Sequence, residues 1–515
     1  MNKRTTFFML GILLVFSSFL PAQVELTPKE QLGKKIFFDK ISSPDRMACA
    51  NCHAPEVGLT GPNPAINRKT AVYNGAVPQR FGNRKPPSAA YATLSPNFNY
   101  DASEGLFYGG NFWDGRATGW NLGNPAADQS LGPFLNPVEQ NNPYTLHVLM
   151  QIAHSNYTDL WEDVWTEPIA YNTPDEIKTN YNRVGLSIAA YEGSDEVNSF
   201  TSKFDYSLVG EANLTEQESA GLTLFNGKAL CSECHTSDGP KPLFTDFTFD
   251  NLGVPKNPDN PFYEMDEVFL DDGTAINPLG NAWIDKGLGD FLRMLASNED
   301  WRGQQFVTTG LLGLNSSELE ELALANDGKQ KVPTLRNVDK RPGYGFTKAY
   351  MYNGVFKSLK EVVHFYNTRD VEVWPEPEVG VNVNEDELGN LGLTEEEEDA
   401  IVAFMKTLSD GYKINKMGMD ANDLTYKEQS TELRIEGPNP FNPSTRLSYI
   451  IPEDGHIQLY VFNIIGQKVA TLQEGFMSAG THQVEFNGNH LTSGIYIATL
   501  HTKSDVKSVK LMLLK

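Results

Sequence analysis

Apolar positions recur at helical spacing in two stretches that match each other: Leu32, Ile36 and Phe37 in the first, Leu222 and Phe225 in the second. An amphipathic helix returns the same side to the core every three or four residues, so each run predicts a helix with one buried stripe. Both stretches open with the same signature, Thr27-Pro28-Lys29-Glu30 and Thr215-Glu216-Gln217-Glu218. In such a capping box the Thr hydroxyl and the Glu side chain three residues later satisfy amides that the first helical turn leaves unpaired. A second apolar helix is expected in each half. It falls in the Val148 to Val164 region of the first, and at Leu359 to Tyr366 followed by Ile401, Phe404 and Leu408 in the second.

Beyond Leu408 the pattern changes period. Lys413 to Glu432 is polar and reads as a linker. From Leu433 onward short alternating runs appear: Leu447 to Ile451, Ile457 to Ile464, Val469 to Leu472, His482 to Phe486, Ile495 to Leu500 and Val506 to Leu514. Breaks at Pro452-Glu453-Asp454-Gly455, Ser478-Ala479-Gly480 and Ser493-Gly494 make these strands of a small β-sandwich. At the other end, Lys3 and Arg4 precede an uncharged run from Phe7 to Leu20 and then Pro21-Ala22-Gln23, the layout of a secretory signal peptide. The alternative is a retained anchor, but the run is shorter than the roughly 20 residues that span a bilayer. The mature protein is therefore expected to be exported and to start near Gln23 or Val24.

The chain has 515 residues, 40% apolar and 21% charged, which fits several domains with real cores. Its 66 acidic and 42 basic residues give a net charge of -24. No basic run offsets that balance, so a nucleic-acid partner is not expected. All four cysteines lie in two five-residue motifs, Cys49-Ala50-Asn51-Cys52-His53 and Cys231-Ser232-Glu233-Cys234-His235. C-x-x-C-H is the covalent attachment sequence of c-type haem, with the thiols adding to the porphyrin vinyl groups and the His beneath the ring. A zinc site would keep its cysteine pairs about 15–20 residues apart, and a redox pair has no need of the His twice. Two haems c are expected, bound by Cys49, Cys52, Cys231 and Cys234, with His53 and His235 as iron ligands.

Further motifs resemble the dihaem cytochrome c peroxidase/MauG family, between Leu26 and Leu408. They are Phe112-Trp113-Asp114-Gly115-Arg116-Ala117, Gln129-Ser130-Leu131-Gly132-Pro133, Asn136-Pro137-Val138-Glu139, Val332-Pro333-Thr334-Leu335-Arg336-Asn337, Tyr350-Met351-Tyr352-Asn353-Gly354 and Leu359-Lys360-Glu361-Val362-Val363 with Tyr366-Asn367. The resemblance implies a mainly α fold of two tandem cytochrome c-like haem domains, here followed by the β-sandwich. The implied division is signal peptide 1–23, peroxidatic domain 24–205, electron-transfer domain 206–412, linker 413–432 and sandwich 433–515. By position, Glu139 is implied as the distal acid and base, with Gln129 beside it and Pro133 shaping the pocket. A carboxylate can take a proton from one peroxide oxygen and return it to the other. Trp113 is implied as the relay between haems.

In the peroxidase branch of that family a His from the loop ahead of the Trp motif often serves as a removable sixth ligand. Of the nine histidines here none stands between His53 and His147, so the resemblance implies an open distal side at the first iron without reductive activation, as in the MauG branch. His147 and His154 are expected to be ordinary surface or packing residues. The resemblance places the second iron's sixth ligand at Tyr366, with Met351, His364 or an open site as alternatives. It also implies a calcium ion between the domains. Thr347 matches one ligand position and Ala349 replaces a proline that offers only its carbonyl. Lys85 stands where an asparagine is expected, which counts against the ion, since an ammonium cannot ligate a hard cation. Gln140 and Tyr352 depart from a common Met and a common His.

In the tail, Asn439-Pro440-Phe441-Asn442-Pro443-Ser444-Thr445, Asn463-Ile464-Ile465-Gly466-Gln467 and Ser493-Gly494-Ile495-Tyr496 resemble the C-terminal sorting domain of type IX secretion substrates. That implies the type IX secretion machinery as partner and a periplasmic, cell-surface or extracellular location. The alternative is a carbohydrate-binding or generic immunoglobulin-like module. The expected function is a secreted oxidoreductase that reduces hydrogen peroxide at the first haem, drawing electrons through the second from a small redox protein. The alternatives are a MauG-like oxidase of a protein side chain and a dihaem electron carrier without turnover.

Overall fold

The computed structural model describes residues 25–270, 273, 275–297, 312–343, 345–414, 431–451, 455–477, 480–502 and 506–515. The expected signal peptide and most of the expected linker lie outside these residues.

Both expected capping helices form, at Pro28–Phe38 and Glu216–Phe225, each with its reciprocal Thr and Glu contacts in place. They resemble each other further than the caps. Gly33 lies so close to the Pro174–Glu192 helix that a β-carbon there would sit 1.8 Å from the Ser187 carbonyl oxygen. Gly221 meets the Glu395–Lys406 helix in the same way, 1.9 Å from the Ala400 carbonyl oxygen. Each crossing brings backbone against backbone, which only glycine permits.

One core surrounds the first crossing, with Leu32, Ile36, Phe37, Val184 and Ile188 at its centre, and another the second, with Phe225, Phe244, Ile401 and Phe404. The helix partner in the first half differs from the expected one. The Val148 to Val164 stretch is two helices, Thr145–Ala153 and Thr158–Trp165, separated where His154 closes the first. The crossing partner is instead Pro174–Glu192, whose Thr173 and Glu176 form another capping box. In the second half Leu359–Thr368 and Glu395–Lys406 form as expected.

A further core was not anticipated. The short hairpin of Asn99–Asp101 and Leu106–Tyr108 packs Phe98 and Phe107 against Leu288, Phe291, Leu292 and Leu295. Those last residues repeat at helical spacing along Leu288–Ser297, a legible signal.

The described residues of the tail carry seven strands. Four form an antiparallel sheet in the order 506–513, 494–501, 455–463, 468–477, and three form another in the order 432–435, 444–451, 480–487. Leu447, Tyr449 and Phe486 from one sheet share a core with Leu459, Leu500 and Leu511 from the other. No described helix is long and apolar enough to cross a membrane.

Gly33→Ala and Gly221→Ala should each cost at least about 1–3 kcal/mol, because the added methyl must push two backbones apart. Thermal unfolding measures this, and a melting temperature equal to that of the parent chain would mean that the crossings are looser than described.

Candidate functional site

Each Cys-x-x-Cys-His sequence folds as a tight turn. Cys49–Asn51 and Cys231–Glu233 are single 3-10 turns, and the first cysteine's carbonyl accepts the amide of the histidine at 3.0 Å in one case and 2.9 Å in the other. The wrap brings both thiols and the imidazole of a motif to one cavity wall. His53 Nδ1 lies 3.0 Å from the Leu59 carbonyl oxygen and His235 Nδ1 lies 2.8 Å from that of Phe244. A carbonyl only accepts, so Nδ1 carries the proton and Nε2 keeps a free lone pair, as an iron ligand must. Burial lowers the pKa of both imidazoles, which favours the neutral form. The four thiols are unpaired, and burial pushes Cys49 and Cys231 up to about 12.

The first motif opens onto a cavity of about 1750 Å³, counted out to its mouth. Trp113, Gln129, Pro133 and Glu139 line it together with Cys49, Cys52 and His53. The second motif opens onto one of about 1590 Å³ lined by Cys231, Cys234, His235, Met351, Tyr366 and, again, Trp113. Both suit a flat, largely apolar ring with an iron centre: thiols at one edge, an imidazole lone pair facing in, apolar walls. Gln140 Oε1 beside the first motif is a buried acceptor with no partner among the described residues.

Glu139 is held by its backbone. Its amide donates to Asn136 O at 3.0 Å, and its carbonyl accepts from Ala76 at 2.6 Å. Burial raises its pKa, with Arg116 and the Asn136 side chain pulling the other way. The indole Nε1 of Trp113 donates to the Lys85 carbonyl at 3.0 Å. Next in sequence, Asp114 pairs with Arg116 at 2.5 Å and with Arg84 at 2.6 Å, and Arg84 grips Asp285 with two further bonds of 2.6 Å. Burial pushes the Asp114 carboxyl up, but Arg116 and Arg84 outweigh it and hold it at about 2.

In the second cavity the Tyr366 hydroxyl makes no hydrogen bond among the described residues, and Met351 lines the same wall. His364 does not line either cavity. Its Nδ1 lies 2.9 Å from Glu398 and its Nε2 3.3 Å from Glu372, so it is engaged on the outer side of its helix. His147 bonds Asn142 at 2.9 Å and His154 bonds the Met150 carbonyl at 2.7 Å, both outside the cavities.

Several cavity residues escaped the sequence reading. Arg116 lines the first cavity and lay within a motif already noticed. Glu192, whose pKa burial raises to about 8, lies at the end of the helix that was not anticipated. Lys331 lines both cavities, donating to Ser95 Oγ at 2.7 Å and to the Gly110 carbonyl, and burial pulls it down to about 7. Its place there follows from the pairing of Gln330–Lys331 with the distant Phe249–Asp250, which the sequence does not show.

The place expected for calcium does not suit that ion. The Thr347 carbonyl accepts from Asn67 Nδ2 at 3.0 Å, and the buried ammonium groups of Lys85 and Lys348 stand nearby.

The family pattern described as di-haem cytochrome c peroxidase matches residues 27–213, and that described as secretion system C-terminal sorting domain matches residues 438–514. The methylamine utilization protein MauG of Paracoccus denitrificans is 30% identical over 398 residues, which are 74% of this chain and 88% of that protein. A cytochrome-c peroxidase, IdrP2, of a Pseudomonas species is 27% identical over 409 residues, covering 78% and 86%. Among solved structures, the diheme peroxidase BthA of Burkholderia thailandensis is similar with a TM-score of 0.56 and 26% identity, over 76% of this chain and 88% of that one.

The position of Glu139 depends on Gly75, where a β-carbon would come within 2.4 Å of the Glu139 carbonyl oxygen and 2.5 Å of that of Val138. Gly75→Ala should therefore displace Glu139 and lower stability by about 1–3 kcal/mol. An unchanged melting temperature in that variant would show that the segment yields freely.

Proposed function

Because the chain belongs to the dihaem cytochrome c peroxidase and MauG family, we propose that it is an exported enzyme that reduces hydrogen peroxide, with each cavity holding one haem. Its residues 438–514 are a type IX sorting domain, so it travels with that secretion machinery. Cys49 and Cys52 would attach the first haem and Cys231 and Cys234 the second, with His53 and His235 binding the irons. Tyr366 would be the sixth ligand in the second cavity, a hard oxygen donor that favours oxidised iron. When bound, the first haem supplies an iron that takes up peroxide and accepts its oxidising equivalents.

The protein's own residues handle protons and position. Glu139, as a carboxylate, takes the proton from the peroxide oxygen nearer the iron and returns it to the farther one, which leaves as water. Two electrons and two protons from outside complete the conversion of one peroxide to two waters. Gln129 would hold the peroxide by a hydrogen bond, and Pro133 would shape the pocket wall. Electrons would enter at the second cavity from a small redox protein and cross by way of Trp113.

The observation that carries this reading is that Trp113 walls both cavities, one of which contains Glu139 and a single histidine. That isolation of His53, together with the phenol of Tyr366 in the second cavity, also favours a MauG-like variant of the reaction, in which the electrons come from a protein side chain. A panel of reduced donors, with peroxide supplied, separates the two.

Glu139→Gln should slow the peroxide step by about 100-fold or more, the usual worth of a positioned acid–base group. Since Glu139 acts first as a base and burial raises its pKa, kcat/KM for peroxide should fall as pH drops through a value above the ordinary carboxylate range. The Gln variant should lose that limb; if its rate and pH profile match the parent, Glu139 has no such role.

Trp113→Phe should leave the reaction of the first cavity with peroxide intact while delaying the spectral response of the second by at least about tenfold. Stopped-flow spectra of the two haems report this, and equal rates in parent and variant would remove Trp113 from the path.

A further inference from the structure

We propose that the seam between the two halves is held by the protein's own ammonium groups, Lys348 assisted by Lys85, in place of a divalent cation. Lys348 is only 5% exposed, yet its ammonium donates to three backbone carbonyls. Val57 O at 2.9 Å belongs to the first half, whereas Asn337 O at 3.0 Å and Lys340 O at 3.2 Å belong to the second. Carbonyl oxygens converging from two segments are what a hard cation selects. Here three N–H donors meet three acceptors, so the ammonium is satisfied without metal. A neutral amine has only two N–H groups and would leave one carbonyl facing a lone pair. That geometry holds the third proton against the burial that pulls Lys348 down to about 7.

Lys85 adds a second cation at the same seam. Its ammonium lies 3.1 Å from the Pro86 carbonyl oxygen and 3.4 Å from Thr60 Oγ1, while its amide donates across the seam to Tyr352 O at 2.8 Å. A dication placed beside two buried ammonium groups would meet repulsion that little water is present to screen. The Thr347 carbonyl, at one of the matching positions, already accepts from Asn67. The inference is independent of the reaction the halves carry out.

The test uses the purified holoprotein. Elemental analysis after passage over a chelating resin should find well under one calcium per chain, and calorimetric titration with calcium chloride should show no saturable heat. Neither EDTA nor added calcium should move the melting temperature or the haem bands. Lys348→Met, which keeps length but removes charge, should melt several degrees lower, and Lys348→Arg should recover part of the loss. The double variant Lys85→Asn with Lys348→Ala, which opens the seam, should gain a calcium-dependent rise in melting temperature. One calcium retained per parent chain, a parent melting temperature that falls in EDTA, or a Met variant that melts with the parent would each overturn the proposal. The calcium measurements on the parent decide the matter even if a variant fails to fold.

Discussion

Two helix crossings with backbone lying on backbone govern where everything else in the body can sit. Gly33 against Ser187 and Gly221 against Ala400 bring each capping helix closer to its partner than any side chain would permit. The turn that carries the thiols and the imidazole follows each capping helix, after 10 residues in one half and 5 in the other. The crossing therefore fixes the direction from which each motif enters its cavity, and the repeated geometry gives the two halves their likeness. The same constraint explains why Phe37 and Phe225 are almost fully buried at equivalent places.

Much of this was legible in the residues. Period and caps located the two leading helices, and the alternation after Leu433 located six of the seven tail strands, because edge and core positions there differ sharply in polarity. The Cys-x-x-Cys-His motifs marked which residues would line the two cavities. What stayed hidden depends on contacts between distant segments. Pro174–Glu192 carries Asn180, Tyr181 and Ser187 on its buried side, which blurs the apolar stripe that marks a helix. Thr145–Ala153 and Thr158–Trp165 share an apolar rhythm across their break, so they read as one. Lys331, Lys348 and Arg336 look like ordinary surface cations in the sequence; only the fold shows Lys348 and Arg336 buried on carbonyls and a carboxylate and Lys331 half-buried on a hydroxyl and a carbonyl.

Buried charge is concentrated where the halves meet. Arg84 joins Asp114 to Asp285, and Asp410 accepts from Tyr91 at 2.7 Å and from Asn337 at 2.8 Å, linking elements from both halves. Pairs of this kind contribute little net stability against an apolar replacement, but breaking one partner is costly, so they favour one arrangement over others. They hold the Phe112 to Arg116 turn, and with it Trp113, in register with both cavities.

That indole is fixed in one further respect. Its N–H points at the Lys85 carbonyl, a group that cannot remove a proton, and the Lys85 ammonium stands 5.8 Å from the ring centre. A ring that must keep its proton beside a fixed positive neighbour is a poor place for a hole to lodge. On the proposed reading, charge moving between the two sides would pass Trp113 in a single jump, with the side chain as a conducting wall and not as a storage point.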